Sequence, residues 1–455
     1  MSIEQMELPL EKRGAAPKIS RSDEVGPAKH RDERSGLGDR AVMERIVEAG
    51  NLARALRRVR ANKGSPGVDG LPVDELPAYL REHWPTIRER LLTGRYQPSV
   101  VKRVEIEKPD GGTRWLGIPT VLDRFIQQAV LQVLQPAIDP TFSEHSYGFR
   151  PGRSAHDAVC QAQRYVKEGR HWVVDLDLAQ FFDRVNHDIL LGLLAERIAD
   201  PRVLTLIRRY LEAGVMVTGV VVERHEGTPQ GGPLSPLLAN VLLDVVDKEL
   251  ERRAHAFVRY ADDLNVYARS RRAAARVMAG LVRLYAKLKL RINPAKSAVA
   301  LAGERTFLGF RLWEVIRGRI VHRRLVSPKA MEKLKARVRD LTNRSRGWSV
   351  PAVVSALRRY LLGWKGYFQL AETPSTFAKL DGWIRRRLRL LIIIQCKRGP
   401  TLFRKLRARG LSIRDAAGAA AHCRRWWMTA ASPALNTAFP PRYFDELGVP
   451  RLCPS

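Results

Sequence analysis

The chain has 455 residues, 45% of them hydrophobic, and carries 79 Lys and Arg against 47 Asp and Glu for a formal net charge of +32. That length and apolar share supply cores for two or three domains and exclude a disordered chain, while so much uncompensated positive charge calls for a polyanionic partner, nucleic acid first. Four cysteines, Cys160, Cys396, Cys423 and Cys453, with no Cys-x-x-Cys pair, exclude a disulfide framework and a zinc module.

Residues 1–40 mix charge, Pro, Gly and Ser with little apolar periodicity, which predicts a disordered basic arm. Helical spacing predicts a helix over Val42–Arg60, followed by the turn-rich stretch Lys63–Gly70. Val100–Ile106 and Arg114–Ile118, joined through Lys108-Pro109-Asp110-Gly111-Gly112, predict a hairpin with a basic, glycine-rich tip. Helices are expected over Arg124–Leu134, Asp188–Ile198, Pro201–Leu211, Leu237–Leu250 and Arg272–Leu288, and a buried strand over His171–Leu178. A short strand near Leu290 and a strand pair over Phe307–Trp313 and Gly318–Val321 complete an α+β order. After Pro328 basic amphipathic helices take over, at Lys329–Leu341, Val350–Phe368 and Thr376–Cys396. Residues 317–455 hold 30 Lys and Arg against 7 Asp and Glu, so the excess charge concentrates there. Arginine clusters such as Arg385-Arg386-Arg387 alternate with tryptophans such as Trp364, a composition suited to phosphate contact and base stacking. The longest apolar run, Leu388–Ile394, is interrupted by Arg389 and too short for a bilayer, and no leader pattern opens the chain; a soluble intracellular protein without a membrane is expected.

Three segments carry chemistry. In Phe257-Val258-Arg259-Tyr260-Ala261-Asp262-Asp263-Leu264-Asn265-Val266, two adjacent carboxylates flanked by strand-like apolar residues are costly unless a cation compensates them. The strand Trp172-Val173-Val174-Asp175-Leu176-Asp177-Leu178 puts Asp175 and Asp177 on one face by alternation. A carboxylate from this strand beside the Asp262 pair would complete a site for two divalent ions that clamp a phosphoryl displacement. On its own, an Asp-Asp pair in a turn is more often solvated than catalytic. The third segment, Gly227-Thr228-Pro229-Gln230-Gly231-Gly232-Pro233-Leu234-Ser235, is a loop whose glycines let backbone approach a ligand, or an ordinary helix cap.

Taken in order and spacing, these segments resemble the palm motifs of reverse transcriptases, specifically those encoded by bacterial group II introns. The resemblance runs from about residue 50 to about residue 420 and includes Leu116–Arg124, Ser146–Ser154, Asn293-Pro294-Ala295-Lys296, Phe307-Leu308-Gly309-Phe310 and Tyr360–Phe368. It implies a right-hand polymerase fold: an N-terminal extension (41–100), fingers and palm (101–325), an all-helical thumb and maturase domain (326–420) and a short tail at 421–455 compared with a DNA-binding segment. It further implies two Mg2+ ions held by Asp177, Asp262, Asp263 and the backbone carbonyl position of Leu178, with Asp175 secondary. Phe182 matches the aromatic gate that excludes a ribonucleotide 2′-hydroxyl, with core packing as the alternative for Phe181. Gln230, Lys108 and Arg114 match residues that hold the incoming deoxynucleoside triphosphate, and Lys296 matches the lysine assigned to pyrophosphate protonation or, alternatively, an exposed lysine after a turn.

For the helical region, Arg385, Arg386, Arg387, Trp364 and Lys365 are the residues expected to meet intron RNA. The implied partners are group II intron RNA, a DNA target and primer and deoxynucleoside triphosphates, with a homodimer left open. A C-terminal nuclease domain is not expected, because only His422, Cys423 and Cys453 stand where relatives carry paired cysteines and histidines. The implied activity is RNA-directed DNA polymerisation with assistance to splicing and mobility. The competing readings are an RNA-binding maturase without polymerase activity and a domesticated reverse transcriptase in defence or repair.

Overall fold

The computed structural model describes residues 37–107, 113–217, 220–222, 226–228, 231–316 and 318–453. Most of the arm expected over residues 1–40, together with Lys108 and Gln230, lies outside these. The chain gathers into two compact units, residues 37–154 with 174–299, and residues 155–173 with 300–453.

In chain order the elements begin with α1 (Val42–Ile46), α2 (Ala49–Asn62), α3 (Leu76–Leu92), β1 (Val101–Glu107), β2 (Thr113–Ile118), α4 (Val121–Ile138) and α5 (Ala155–Lys167). There follow β3 (Trp172–Leu176), α6 (His187–Ala195), α7 (Pro201–Glu212), β4 (Val215–Val217), β5 (Val220–Val222), α8 (Ser235–Arg252), β6 (Ala256–Tyr260), β7 (Asp263–Ala268), α9 (Arg271–Lys287) and β8 (Ala298–Leu301). The mixed α+β order read from the sequence is what the chain adopts.

Two four-stranded sheets are ordered β2–β1–β4–β5 and β6–β7–β3–β8. β1 and β2 form the expected antiparallel hairpin, with Lys102 opposite Ile118 and Glu107 opposite Thr113. The helix expected over Val42–Arg60 is two helices, because Glu48 adopts an extended conformation (φ −65°, ψ 138°) and its carbonyl accepts from Leu52 N to start α2. Helix α3 escapes sequence reading because Pro77 and Pro85 look like breakers. Pro77 sits in the first turn, where no intrahelical N–H is needed, and Leu76, Leu80, Trp84, Ile87 and Leu91 bury one stripe that holds the helix around Pro85. Helix α4 starts at Thr120, whose side chain accepts from Asp123 N.

The sheet that carries the carboxylates is apolar in continuous runs rather than alternating. Val258, Phe257, Leu264 and Val266 are at most 1% exposed, as suits strands covered on both faces. Helix α8 is buried on most of its circumference, through Leu237, Leu238, Val241, Leu242, Leu243 and Val246. Burial of each such side chain is worth roughly 1.5–3 kcal/mol, which makes α8 the rigid backing of that sheet.

The second unit continues with β9 (Phe310–Arg311), β10 (Glu314–Ile316), β11 (Arg319–Val321), β12 (Leu325–Val326), α10 (Pro328–Leu341), α11 (Val350–Phe368) and α12 (Pro374–Cys396). It ends with α13 (Gly399–Arg407), α14 (Ile413–Ala421), α15 (Trp426–Thr429), α16 (Pro433–Ala438) and α17 (Pro441–Glu446). The strand pair expected between Phe307–Trp313 and Gly318–Val321 is corrected: β9 pairs with β12, and β10 pairs with β11. Leu308 and Gly309 both take positive φ, so Phe307 and Phe310 bond to each other across a tight turn instead of extending one strand. The three long basic helices stand where periodicity predicts them. Ser327 and Ser349 cap α10 and α11 by accepting from Ala330 N and Ala352 N. Among the described residues no helix is long and apolar enough to cross a membrane.

Candidate active site

The loop that follows β3 is pinned by a segment far along the chain. Asn293 N donates to the Asp177 carbonyl at 2.8 Å, Ala179 N donates to the Arg291 carbonyl at 2.8 Å, and Asp177 N donates to Ser297 Oγ at 3.0 Å. These bonds fix the backbone at Asp177 and bring Lys296 Nζ to 3.8 Å from Asp177 Oδ2, with Lys296 largely exposed. Leu178 pairs with Ile292 in an isolated antiparallel bridge whose two bonds use the Asp177 and Arg291 carbonyls, not that of Leu178. Asp175, on the same face as Asp177, lies 2.9 Å from the Asn265 side-chain nitrogen when that amide is oriented to donate, a strand-to-strand contact.

Asp262 and Asp263 sit at the tip of the β6–β7 hairpin, where Tyr260 faces Asp263 across a two-residue turn. Ala261 takes φ +57° at the first central position, where hairpins usually place glycine, at a cost of about 1–3 kcal/mol. Burial, reinforced by the charge of Asp177, raises the Asp262 carboxyl above the usual carboxylate range. Asp263 keeps an exposed face, yet desolvation of its carboxyl and the neighbouring charges of Asp262, Asp177 and Asp175 push it up to about 7. Lys296 and Arg259 act in the opposite direction on Asp262. The three sequence-derived carboxylates therefore share one electrostatic neighbourhood. They are not drawn into a closed ligand set: among the described residues no three His, Cys, Asp or Glu side chains form a group that could hold a metal ion. The excess of negative charge still fits a hard cation with oxygen ligands better than any neutral ligand.

Phe182 lies in a short 3-10 turn after β3, its ring 5.1 Å from that of Phe181 in an edge-to-face contact. Phe181 is 3% exposed and belongs to the core, whereas Phe182 is only partly buried. The Phe182 carbonyl accepts from Thr228 N at 2.7 Å, and His187 Nε2 lies 2.7 Å from the Gly227 carbonyl. Gly227, at φ +91°, has no room for a Cβ, which would fall 2.9 Å from the Phe182 and Asp183 carbonyl oxygens. The start of the glycine loop is thus tied to the Phe182 turn. Arg114 stands in β2 opposite Ile106.

In the second unit the arginine cluster divides. Arg385 is 3% exposed and donates to Asp381 at 3.3 Å and Asp445 at 2.5 Å, so it is an internal ion-pair residue, not a surface contact for RNA. Trp364 is likewise mostly buried, against Phe368 and Phe377. Arg387 is half-covered and donates to Thr342 Oγ1. Arg386 lies 3.9 Å above the partly exposed Trp427 ring, and Lys365 is partly exposed. The sequence reading took charge for exposure, and helical geometry turned part of the cluster inward.

Sequence reasoning also missed what lies beneath the hairpin turn. Arg259 is 0% exposed; its Nε and Nη2 donate to Asp247 at 2.6–3.0 Å, and its Nη1 donates to Asn240 Oδ1 and the Ala261 carbonyl, each at 2.9 Å. The available signal was a charged residue inside an apolar strand, which demands a buried partner.

The reverse transcriptase (RNA-dependent DNA polymerase) family matches residues 106–312, and the group II intron maturase-specific domain matches residues 331–410. Protein YkfC of Escherichia coli (strain K12) is 34% identical over 344 residues, 66% of this chain and 90% of that protein. Group II intron-encoded protein LtrA of Lactococcus lactis subsp. cremoris is 37% identical over 195 residues, 43% of this chain, and the match spans 32% of LtrA. Among solved structures, a partial Cas6-RT-Cas1--Cas2 complex aligns at 26% identity and a TM-score of 0.36, covering 54% of this chain and 42% of that one. With both family domains in tandem and a relative matched over nearly its whole length, the chain belongs to the group II intron-encoded reverse transcriptases and carries a reverse transcriptase domain followed by a maturase-specific domain.

Proposed function

We propose that this chain copies RNA into DNA at the site formed by Asp177, Asp262 and Asp263, and that its helical region holds intron RNA to support splicing and mobility. The observation that carries the polymerase reading is the convergence of two separate segments on one point: the Asp177 loop, pinned by residues 291–297, and the β6–β7 turn, whose two carboxyls are raised by burial and by the charge of Asp177. Enzymes of this family use divalent metals, and in this chain Asp177, Asp262, Asp263 and the Leu178 carbonyl would hold two Mg2+ ions. Bound there, such ions would lower the pKa of a primer 3′-hydroxyl and neutralise charge on the triphosphate and departing pyrophosphate.

The chain's own groups have distinct tasks in this reading. Lys296, held beside Asp177, offers a cation and a proton donor on the pyrophosphate side. Phe182, fixed through its carbonyl to Thr228, presents a ring where a ribose 2′-hydroxyl would clash. Lys108, Arg114 and Gln230 would grip the incoming deoxynucleotide, the arginine as a planar fork and the lysine as a point charge. Arg386 and Lys365 remain candidates for RNA contact, whereas Arg385 and Trp364 support the fold. In domain terms, 41–100 would be the N-terminal extension, 101–325 fingers and palm, 326–420 thumb and maturase domain, and 421–455 a DNA-facing tail.

Primer extension on an RNA template separates this from a splicing-only maturase. Asp177→Asn should lower deoxynucleotide incorporation by at least about 10²-fold while binding of intron RNA is retained. Incorporation that survives the substitution would remove Asp177 from the site.

A further inference from the structure

We infer that Arg259 is a positioning residue for polymerisation: its buried guanidinium latches the Asp262–Asp263 turn to helix α8, the helix that leaves the glycine loop. The inference rests on the polymerase reading for its kinetic part only.

Four observations converge on the latch. Among the described residues Arg259 is the largest fully buried side chain, and all three of its guanidinium nitrogens donate: Nε and Nη2 to Asp247, Nη1 to Asn240 and to the carbonyl of Ala261. Asn240 and Asp247 are seven residues apart on α8, two helical turns along one face, so the guanidinium is oriented from two levels of the same rigid element. Its acceptor at the other end is the carbonyl of Ala261, the residue with φ +57° next to Asp262. A strained turn of this kind persists only where surroundings over-determine it, and this bond is one that does so.

Main-chain bonds close the frame. Arg259 N donates to the His145 carbonyl and Tyr147 N donates to the Arg259 carbonyl, each at 2.9 Å, while Asn240 Nδ2 donates to the Gly148 carbonyl at 3.0 Å. A Cβ on Gly148 would lie 2.2 Å from Ala261 N, so the 146–148 segment presses directly on the turn. At the start of α8, Ser235 Oγ accepts from Thr228 Oγ1 at 3.2 Å, and Thr228 is bonded to the Phe182 carbonyl. One helix therefore connects the nucleotide-side loop to the carboxylate turn, with Arg259 as the joint. The guanidinium also places a fixed positive charge under Asp262.

Lysine cannot reproduce this joint. Its ammonium keeps the charge and can reach Asp247, but it lacks the planar fork needed to serve Asp247, Asn240 and the Ala261 carbonyl at once. In full-length protein, Arg259→Lys should fold and bind nucleotide with a KM within about threefold of the parent, while kcat falls by about a hundredfold, the cost of a misplaced reacting group. Hydrogen exchange supplies a readout that needs no activity. Amides of residues 260–264 should exchange at least about tenfold faster in Arg259→Lys and in Asn240→Ala, with the protection of residues 237–250 unchanged.

Faster exchange at the turn together with the kcat loss supports the latch. Unchanged exchange at 260–264 in a folded variant, or kcat retained within about threefold, overturns it. If Arg259→Lys does not fold, Asn240→Ala decides by the same two readouts. If the parent chain incorporates no deoxynucleotide, the polymerase reading fails, and the exchange result still decides whether Arg259 holds the turn.

Discussion

Gly148 gives the sharpest quantitative test of the turn's geometry. Its φ is not positive, so alanine there meets no backbone penalty, and space alone decides the outcome. A Cβ at this position would lie 2.2 Å from Ala261 N and 2.9 Å from Tyr260 C, against 3.4 Å for ordinary contact. The 146–148 segment and the turn must therefore separate by about 1.2 Å. Displacement of about 1 Å at a reacting group costs on the order of 10²-fold in rate, and overpacking of this kind costs about 1–3 kcal/mol of stability. Gly148→Ala should thus lose about 10²-fold in kcat for single-nucleotide incorporation, with a urea midpoint that falls by an amount matching that stability loss. Gly192→Ala is the control: nothing lies within 4 Å of its Cβ, and inside α6 alanine should add up to about 1 kcal/mol. A folded Gly148→Ala protein with kcat within about threefold of the parent would refute the close approach of this segment to the carboxylate turn.

Other outcomes follow from particular contacts. Asp247→Ala leaves the fully buried Arg259 charge without its carboxylate and should cost about 3–5 kcal/mol in urea unfolding; a loss below about 1 kcal/mol would contradict the pairing. Phe182→Ala should weaken rejection of ribonucleotides by about 10- to 100-fold, read as the ratio of kcat/KM for deoxy- and ribonucleotides, and an unchanged ratio would return Phe182 to a packing role. In the second unit, burial raises the Asp445 carboxyl but Arg451 and Arg385 outweigh it, so its pKa is lowered on folding. A lowered carboxyl stabilises the fold above the unfolded value of about 3.9 and loses that contribution as pH falls through the folded value. Acid unfolding of the second unit should therefore be less steep below about pH 4 in Asp445→Asn, and an identical acid transition would show that the network contributes nothing.

Much of the fold was legible because its signals are local. Ser327 and Ser349 precede apolar stripes, and α10 and α11 start where those caps stand. Helix α3 was hidden because its two prolines resemble breakers, although one sits where no N–H is needed. The strands at 307–326 were misjudged because Leu308 takes a left-handed conformation that only the packing of the surrounding turn enforces. At the site, Asp177, Asp262 and Asp263 were readable as carboxylates in apolar strands. Arg259, Asn240 and Asp247 were not, since their meaning arises from a strand and a helix brought together by tertiary structure. Arg385 was misread for the same reason: sequence shows its charge, and only the position of Asp445 some sixty residues later shows that the charge is internal.

The central claim is tested most directly by incorporation of a single deoxynucleotide onto a primer annealed to an RNA template, with Mg2+, by the full-length chain and its Asp262→Asn variant. The account predicts template-directed incorporation by the parent and a fall of at least about 10²-fold in the variant. Absence of incorporation by a folded, RNA-bound parent, or equal incorporation by Asp262→Asn, would contradict it.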